Sequence, residues 1–212
     1  MIAERWKELR AAIPAHVRIV AVTKGQPAEA IAQTIAAGAQ DVGENYVQEA
    51  RAKFGVLNLP FSKHFIGHVQ SNKAKAIVEA FDVVQSVDRL EAGEALAKAA
   101  AAAGKRLPVL VQVNVSPAER FGVRPQDAPA LARALRARES LQVDGVMAIG
   151  PLGASSAEVA RAFELAAEVF EAVGGNTLSI GMSDDWQQAL RAGSTMVRLG
   201  SALFGPRPAA RV

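Results

Sequence analysis

A lysine closes the first apolar run of this chain. Residues 17–22 read VRIVAV, a segment suited to a buried strand, and Lys24 follows almost at once, ahead of Gly25 and Pro27. An ammonium buried without a partner is costly, so a lysine at such a place is either paired or put to chemical use. Two later segments bear on that choice. In GMSDD (181–185), Ser183 follows an apolar run and opens a helix start with Asp184 and Asp185. In RLGSALF (198–204), Gly200 and Ser201 close another run and lead into Ala202, Leu203 and Phe204. Backbone N–H groups at helix starts favour a phosphate. The competing readings are ordinary: Ser183 or Asp184 as a plain N-cap, and Lys24 as a surface charge or ion-pair partner. The carboxylates of Asp184 and Asp185 also disfavour an anion beside them unless they point away.

Taken together, the three segments suggest one ligand chemistry. A partly desolvated lysine loses its proton more easily and can form a Schiff base with an aldehyde. An aldehyde that also carries a phosphate is pyridoxal 5′-phosphate. Arg198, near the end of the last apolar run, could reach that cofactor's pyridine nitrogen. Arginine only donates, so it would keep the nitrogen unprotonated and the ring a weaker electron sink. The alternative for Arg198 is a structural salt bridge. His64 and His68 are four apart, a metal-ligand spacing on a helix. Here they straddle a strand end in HFIGH, so the helical argument fails and no metal is expected. His68 is expected to line the pocket, and His16 to lie on the surface.

The elements that must position these residues alternate along the chain. Strand candidates fall at 17–23, 39–43, 63–67, 83–87, 107–115, 142–148, 176–181 and 195–199. Helical stripes at the 3.6 period lie among them: Ile2, Trp6, Leu9 and Ile13; Ala74, Ile77, Val78 and Phe81; Ala128, Leu131, Ala132 and Leu135; Val159, Phe163, Ala166, Phe170 and Val173. Gly38, Gly104, Gly174 and Gly193 follow helical stretches and precede strands, as left-handed C-terminal caps do. Alternating units imply a parallel sheet. With this number of strands, the natural solution is a closed (β/α)8 TIM barrel, with an extra N-terminal helix and a single domain over 1–212. A doubly wound open sheet is the alternative, but GQPAEA after the first run is not its glycine fingerprint. In a barrel the strand ends converge on one mouth, and the loops after strands seven and eight are its frequent phosphate site. Lys24, His68, Ser183, Arg198, Gly200 and Ser201 all fall at such ends.

Composition narrows the remaining classes. The 212 residues are 50% hydrophobic and 21% charged, ordinary for a globular chain with a real core. There is no cysteine, which excludes disulfides and thiolate chemistry and fits a cytoplasmic setting. No apolar run approaches the ~20 residues that cross a bilayer, and the charged MIAERWKELR does not resemble a signal peptide. The net charge of +3 is scattered, so neither nucleic acid nor membrane is expected as a partner.

VAVTKGQP (20–27), VGENYVQE (42–49), HFIGHVQSNK (64–73), GMSDD (181–185) and GSTMVRLGSALFG (193–205) together resemble the YggS/PROSC family of pyridoxal phosphate homeostasis proteins. The resemblance implies a barrel like the N-terminal domain of alanine racemase, with the cofactor held as a Schiff base on Lys24. It further implies that Ser183 and the backbone at Gly200 and Ser201 hold the phosphate, that Arg198 faces the pyridine nitrogen, and that Asn45 lines the ring. Family members are carriers or buffers without an established reaction, so the chain is expected to be no enzyme. It is expected to be a monomer that passes cofactor to apo-enzymes dependent on it. One departure stands out: many members carry a lysine in the loop after strand five, where this chain reads PAERFGV, with Arg120 and Phe121 before Gly122. Arginine keeps the charge but does not readily form an imine.

Two other functions remain open on the sequence. A pyridoxal phosphate racemase would need a second acid/base on the opposite ring face. The chain ends soon after the last strand, at PRPAARV, and its only tyrosine is Tyr46. A Schiff-base aldolase without cofactor would more often place its lysine on a later strand, an analogy at fold level only.

Overall fold

Short apolar runs alternate with helical stripes of period 3.6, so both faces of the strands must be covered. The computed structural model, which describes residues 1–206, closes β1 to β8 into an all-parallel barrel in chain order. Helix α1 (Ile2–Ala12) precedes β1 (Arg18–Val22), α2 (Ala28–Ala36), β2 (Asp41–Glu44), α3 (Val47–Phe54), β3 (Ser62–Phe65), α4 (Ala74–Ala80) and β4 (Val83–Val87). The second half runs through α5 (Leu90–Ala102), β5 (Leu107–Val113), α6 (Ala128–Arg136), β6 (Leu141–Ala148), α7 (Ser156–Val173), β7 (Thr177–Ser179), α8 (Trp186–Arg191), β8 (Met196–Leu199) and α9 (Ser201–Phe204). Closure is made by β8 against β1, with Ile19 opposite Val197 and Val20 opposite Arg198. The (β/α)8 barrel and the extra N-terminal helix are therefore as the sequence predicts. The tail segment RPAARV (207–212) lies outside the described residues.

The predicted helical stripes are the buried ones. Ala128, Leu131, Ala132 and Leu135 of α6 pack over β5 and β6, and Val159, Phe163 and Ala166 of α7 over β6 and β7, in one buried cluster with the outward residues Val109, Val111 and Val113 of β5. Burying each large aliphatic or aromatic side chain contributes about 1.5–3 kcal/mol. Trp6 and Ile13 join Ile19, Ala21, Val197, Leu199 and Leu203 in a second cluster, so α1 covers the seam where the barrel closes. That packing fixes strand phase. Ile19 and Ala21 face outward, which turns Val20 and Val22 inward, because strand side chains alternate. The four glycines predicted as helix stops have φ between 63° and 110°.

Several strands are shorter than predicted, and two of the losses shape the mouth. β7 ends at Ser179 rather than 181, and β5 at Val113 rather than 115. After Val113 the chain turns back, and Asn114 donates its N–H to the Val123 carbonyl at 2.9 Å. The residues between 114 and 122 thus form a flap at the mouth instead of continuing the ladder.

Candidate functional site

The C-terminal ends of the strands enclose a cavity of about 450 Å³. Lys24, Asn45, Ser183, Arg198, Gly200 and Ser201 all line it, with Met147, Ile149 and Met182. Residues more than 170 positions apart in sequence are brought together because β8 lies beside β1.

Lys24 follows β1 at a turn in which Gln26 donates to the Thr23 carbonyl at 2.9 Å. A buried ionic cluster fastens that turn from behind. The Lys53 ammonium of α3 donates to the Thr23 carbonyl (2.8 Å), to Glu44 (2.8 Å) and to Glu49 (2.6 Å). Thr23 Oγ1 donates to Glu44 at 2.6 Å, and the Gly25 N–H to Glu49 at 2.5 Å. Burial pushes the Glu44 carboxyl above the ordinary carboxylate range, against the opposing bonds from Lys53 and Thr23. Burial would raise Glu49 too, but the bonds from Lys53 and Gly25 outweigh it and hold that carboxyl low. Glu44 is fully buried and the Lys53 side chain 11% exposed. Removing one partner of a buried pair costs about 3–5 kcal/mol, because the other is left desolvated and alone. Lys53→Met is therefore expected to destabilise the fold by that order, read as a lowered urea midpoint. Glu44→Gln, which removes the buried charge and leaves Lys53 its bonds to Glu49 and the Thr23 carbonyl, is expected to cost less.

Ser183 is not the N-cap that the simplest reading makes it. The N-cap of α8 is Asp185, whose Oδ1 accepts the Met182 N–H at 2.6 Å. Ser183 Oγ instead accepts the N–H groups of Gly200 (3.1 Å) and Ala202 (3.0 Å). It ties the loop after β7 to the loop after β8 and gathers polar groups of both at the cavity wall. The Asp185 carboxylate is spent on its own turn, whereas Asp184 lines the cavity.

Arg198 enters the cavity from below. It is 4% exposed, and burial lowers its guanidinium to about 10, opposed by the field of Asp185. Nη1 donates to the Ser179 carbonyl and to Ser179 Oγ, both at 2.7 Å, and Nη2 to the Ala148 carbonyl at 2.9 Å. Of five N–H donors, three are thereby used among the described residues, and the side chain also lines the cavity.

Asn45 begins the segment after β2. The residue lines the cavity, and its Oδ1 is buried with no hydrogen-bond partner among the described residues. Gly67 packs on its backbone: a Cβ there would lie 2.0 Å from the Asn45 carbonyl oxygen.

His68 stands outside the cavity lining. Its ring stacks on Phe121 of the flap, centroids 3.9 Å apart at 21°, with Asp88 at 3.6 Å and Arg89 at 3.4 Å. It faces the flap and not the space above Arg198, because the flap folds back over the end of β3. Arg120 of the flap does line the cavity, and an adjacent cleft of about 560 Å³ as well. His64 lies inside the barrel, bonded to Asp41 at 2.9 Å and to Gln85 at 2.8 Å, so both ring nitrogens are taken. Among the described residues no group of three or more His, Asp or Glu side chains is placed to hold a metal.

The family model of the alanine racemase N-terminal domain matches residues 1–208. The chain is 45% identical over 200 residues to the pyridoxal phosphate homeostasis protein of Pseudomonas aeruginosa, covering 92% of this chain and 86% of that protein. It is 40% identical over 209 residues to the protein of the same name from Escherichia coli, covering 92% and 87%. The chain belongs to the pyridoxal phosphate homeostasis protein family. A solved structure similar to it is PipY of Synechococcus elongatus with pyridoxal phosphate bound, at a TM-score of 0.89 and 38% identity, covering 97% of this chain and all of that one. The alanine racemase of Clostridium difficile shares the fold, with a TM-score of 0.79 at 14% identity. This chain corresponds to 58% of that enzyme, and at such identity the likeness concerns the fold alone. Within the family, the Thr23–Glu44–Lys53–Glu49 cluster is the part of the site that motif reading missed. Only the i,i+4 spacing of Glu49 and Lys53 hinted at it.

Proposed function

We propose that this chain binds pyridoxal 5′-phosphate at the barrel mouth and serves in cytoplasmic cofactor homeostasis, as a carrier or buffer and not as a catalyst. The observation that carries the reading is the meeting of three unlike groups on one cavity: an amine (Lys24), a polar turn built on Ser183, Gly200 and Ser201, and a buried guanidinium (Arg198). The residues present suit the cofactor group by group. Lys24 would hold the cofactor covalently through its aldehyde group. The Ser183 hydroxyl, whose proton is not used in accepting the Gly200 and Ala202 N–H groups, and the backbone around Gly200 and Ser201 would hold the phosphate. Arg198 would donate to the ring nitrogen, and Asn45 would line the ring. When bound, the cofactor supplies an electron-accepting ring, which an arginine partner keeps weak.

A non-catalytic role draws support from the ionisable side chains that line the cavity: Lys24, Arg120, Asp184 and Arg198 among the described residues. Tyr46, the only tyrosine, is 62% exposed and caps α3 away from that lining. A two-base exchange of an α-proton would need a proton carrier opposite Lys24. The expected partners are apo-enzymes that take up the cofactor, with this chain acting as a monomer.

The test is borohydride reduction of the cofactor-loaded protein, followed by intact mass and peptide mapping. One pyridoxyl phosphate fixed on the peptide carrying Lys24 is expected, with no alanine racemisation at enzyme-like rates. A label on another lysine, or none, overturns the assignment.

A further inference from the structure

The barrel interior is not filled in the usual way. Barrels of this class pack layers of Val, Ile and Leu inside. Here a line of polar side chains crosses the interior from one end to the other. The Arg198 guanidinium donates to Ser179 Oγ at 2.7 Å. Ser179 Oγ donates to Gln85 Oε1 at 2.7 Å. Gln85 Nε2 donates to His64 Nδ1 at 2.8 Å, and His64 Nε2 donates to Asp41 Oδ1 at 2.9 Å. Arg18 holds the far side of Asp41 through Nε at 3.3 Å and through Nη2. Ser179, Gln85 and His64 are fully buried, and Asp41 is 5% exposed.

The direction of donation is the same at every step, and each step dictates the next. An Nε2 proton given to Asp41 leaves His64 Nδ1 as an acceptor. That acceptor takes the Gln85 amide N–H and turns the amide oxygen toward Ser179. The Ser179 proton is then committed to Gln85, which leaves a lone pair facing Arg198. Every dipole in the line presents its negative end to the guanidinium, and the line ends at the bottom on Asp41, itself paired with Arg18. Linked hydrogen bonds of this kind polarise one another. A buried polar line of this sort is no stability device, since apolar packing serves at least as well. What distinguishes this one is that it ends on the cation facing the cavity.

We infer that Ser179, Gln85 and His64 are positioning residues for Arg198, orienting its guanidinium toward a ring nitrogen from within the barrel. The inference rests on the reading of the cavity as a pyridoxal phosphate site. It makes recognition of the ring nitrogen depend on side chains that never touch the ligand.

The experiment compares two probes on purified full-length protein by equilibrium dialysis: pyridoxal 5′-phosphate, and its deaza analogue with carbon in place of the ring nitrogen. The variants are Gln85→Met, which keeps length and volume but donates and accepts nothing comparable, and Ser179→Ala. Losing an ordered hydrogen bond behind Arg198 is expected to raise the dissociation constant for pyridoxal phosphate about fivefold to tenfold. The deaza analogue, with no nitrogen to recognise, is expected to change less than about twofold on the same scale. The visible band of bound pyridoxal phosphate is expected to move as well. Equal weakening of both probes would mean a merely structural role and overturn the inference, as would unchanged affinity for both. Ser179→Ala removes a single oxygen and carries the same comparison if Gln85→Met fails to fold. Wild-type protein that binds neither probe rejects the cavity reading itself and takes the inference with it.

Discussion

Lys24→Ala is expected to abolish the visible absorbance of protein mixed with pyridoxal phosphate and to leave the fold intact. The loss should be complete and not graded, because no other side chain lining the cavity among the described residues can form an imine: Arg120 and Arg198 are guanidinium groups and stay protonated. The fold should survive because the turn around residue 24 is held by its neighbours. The Thr23 hydroxyl and carbonyl and the Gly25 N–H make the bonds to Glu44, Lys53 and Glu49, and none of these atoms belongs to the Lys24 side chain. Weak binding through the phosphate should persist, since Ser183 and the backbone around Gly200 and Ser201 are untouched. Absorption spectroscopy, circular dichroism and dialysis on one sample separate the three outcomes. An unchanged imine band from the variant would move the reactive amine elsewhere in the chain. A wild-type protein that stays colourless and takes up no pyridoxal phosphate would favour a cofactor-free Schiff-base reaction instead.

The distinction between Lys24 and Lys53 explains what the sequence could and could not reveal. Both lysines lie near strand ends or helices of the first three units, and both sit against buried surface. Lys24 was legible because it ends an apolar run, and a strand end at a barrel mouth has a predictable direction. Ser183, Gly200, Ser201 and Arg198 were legible for the same reason: period and strand order alone carry them to one place. Lys53 was not, since it reads as a helix-surface charge paired with Glu49. Its reach beneath the Lys24 turn depends on the length of α3 and on the tilt at which it returns across β2. His68 shows the complementary failure. Its position after β3 was read correctly, but the neighbour that claims its ring is Phe121, delivered by a loop that folds back instead of extending β5.

The polar line through the barrel was illegible for a further reason. Asp41, His64, Gln85 and Ser179 each lie in a different strand segment beside other polar residues, Glu44, Lys63, Ser86 and Thr177 among them, so nothing in any one segment singles them out. Their partners come from β2, β3, β4 and β7, so no spacing along the chain relates them. Only closure of the barrel makes them neighbours. His64 in particular carried a metal-like spacing to His68, and its use inside the barrel removes it from any role at the surface.

Arg198→Gln is expected to weaken retention of pyridoxal phosphate about tenfold to a hundredfold, the equivalent of one hydrogen bond from a charged donor. Glutamine can still donate to the Ser179 or Ala148 carbonyl, which keeps those acceptors from being stranded, but its reach is shorter and it brings no charge. The cavity therefore loses the donor that meets the ring nitrogen, while Lys24 and the Ser183 turn remain. Association through the phosphate and the aldehyde should continue, so the imine band should form but decay faster on dilution. The fold should lose little stability, because a buried cation 4% exposed is itself costly to hold. The measurement is the dissociation constant by equilibrium dialysis, with urea midpoints to exclude unfolding. Unchanged affinity in a folded variant would mean that the guanidinium serves only the barrel core, bonded to Ser179 and Ala148, and that the ring nitrogen is met by something else or by nothing.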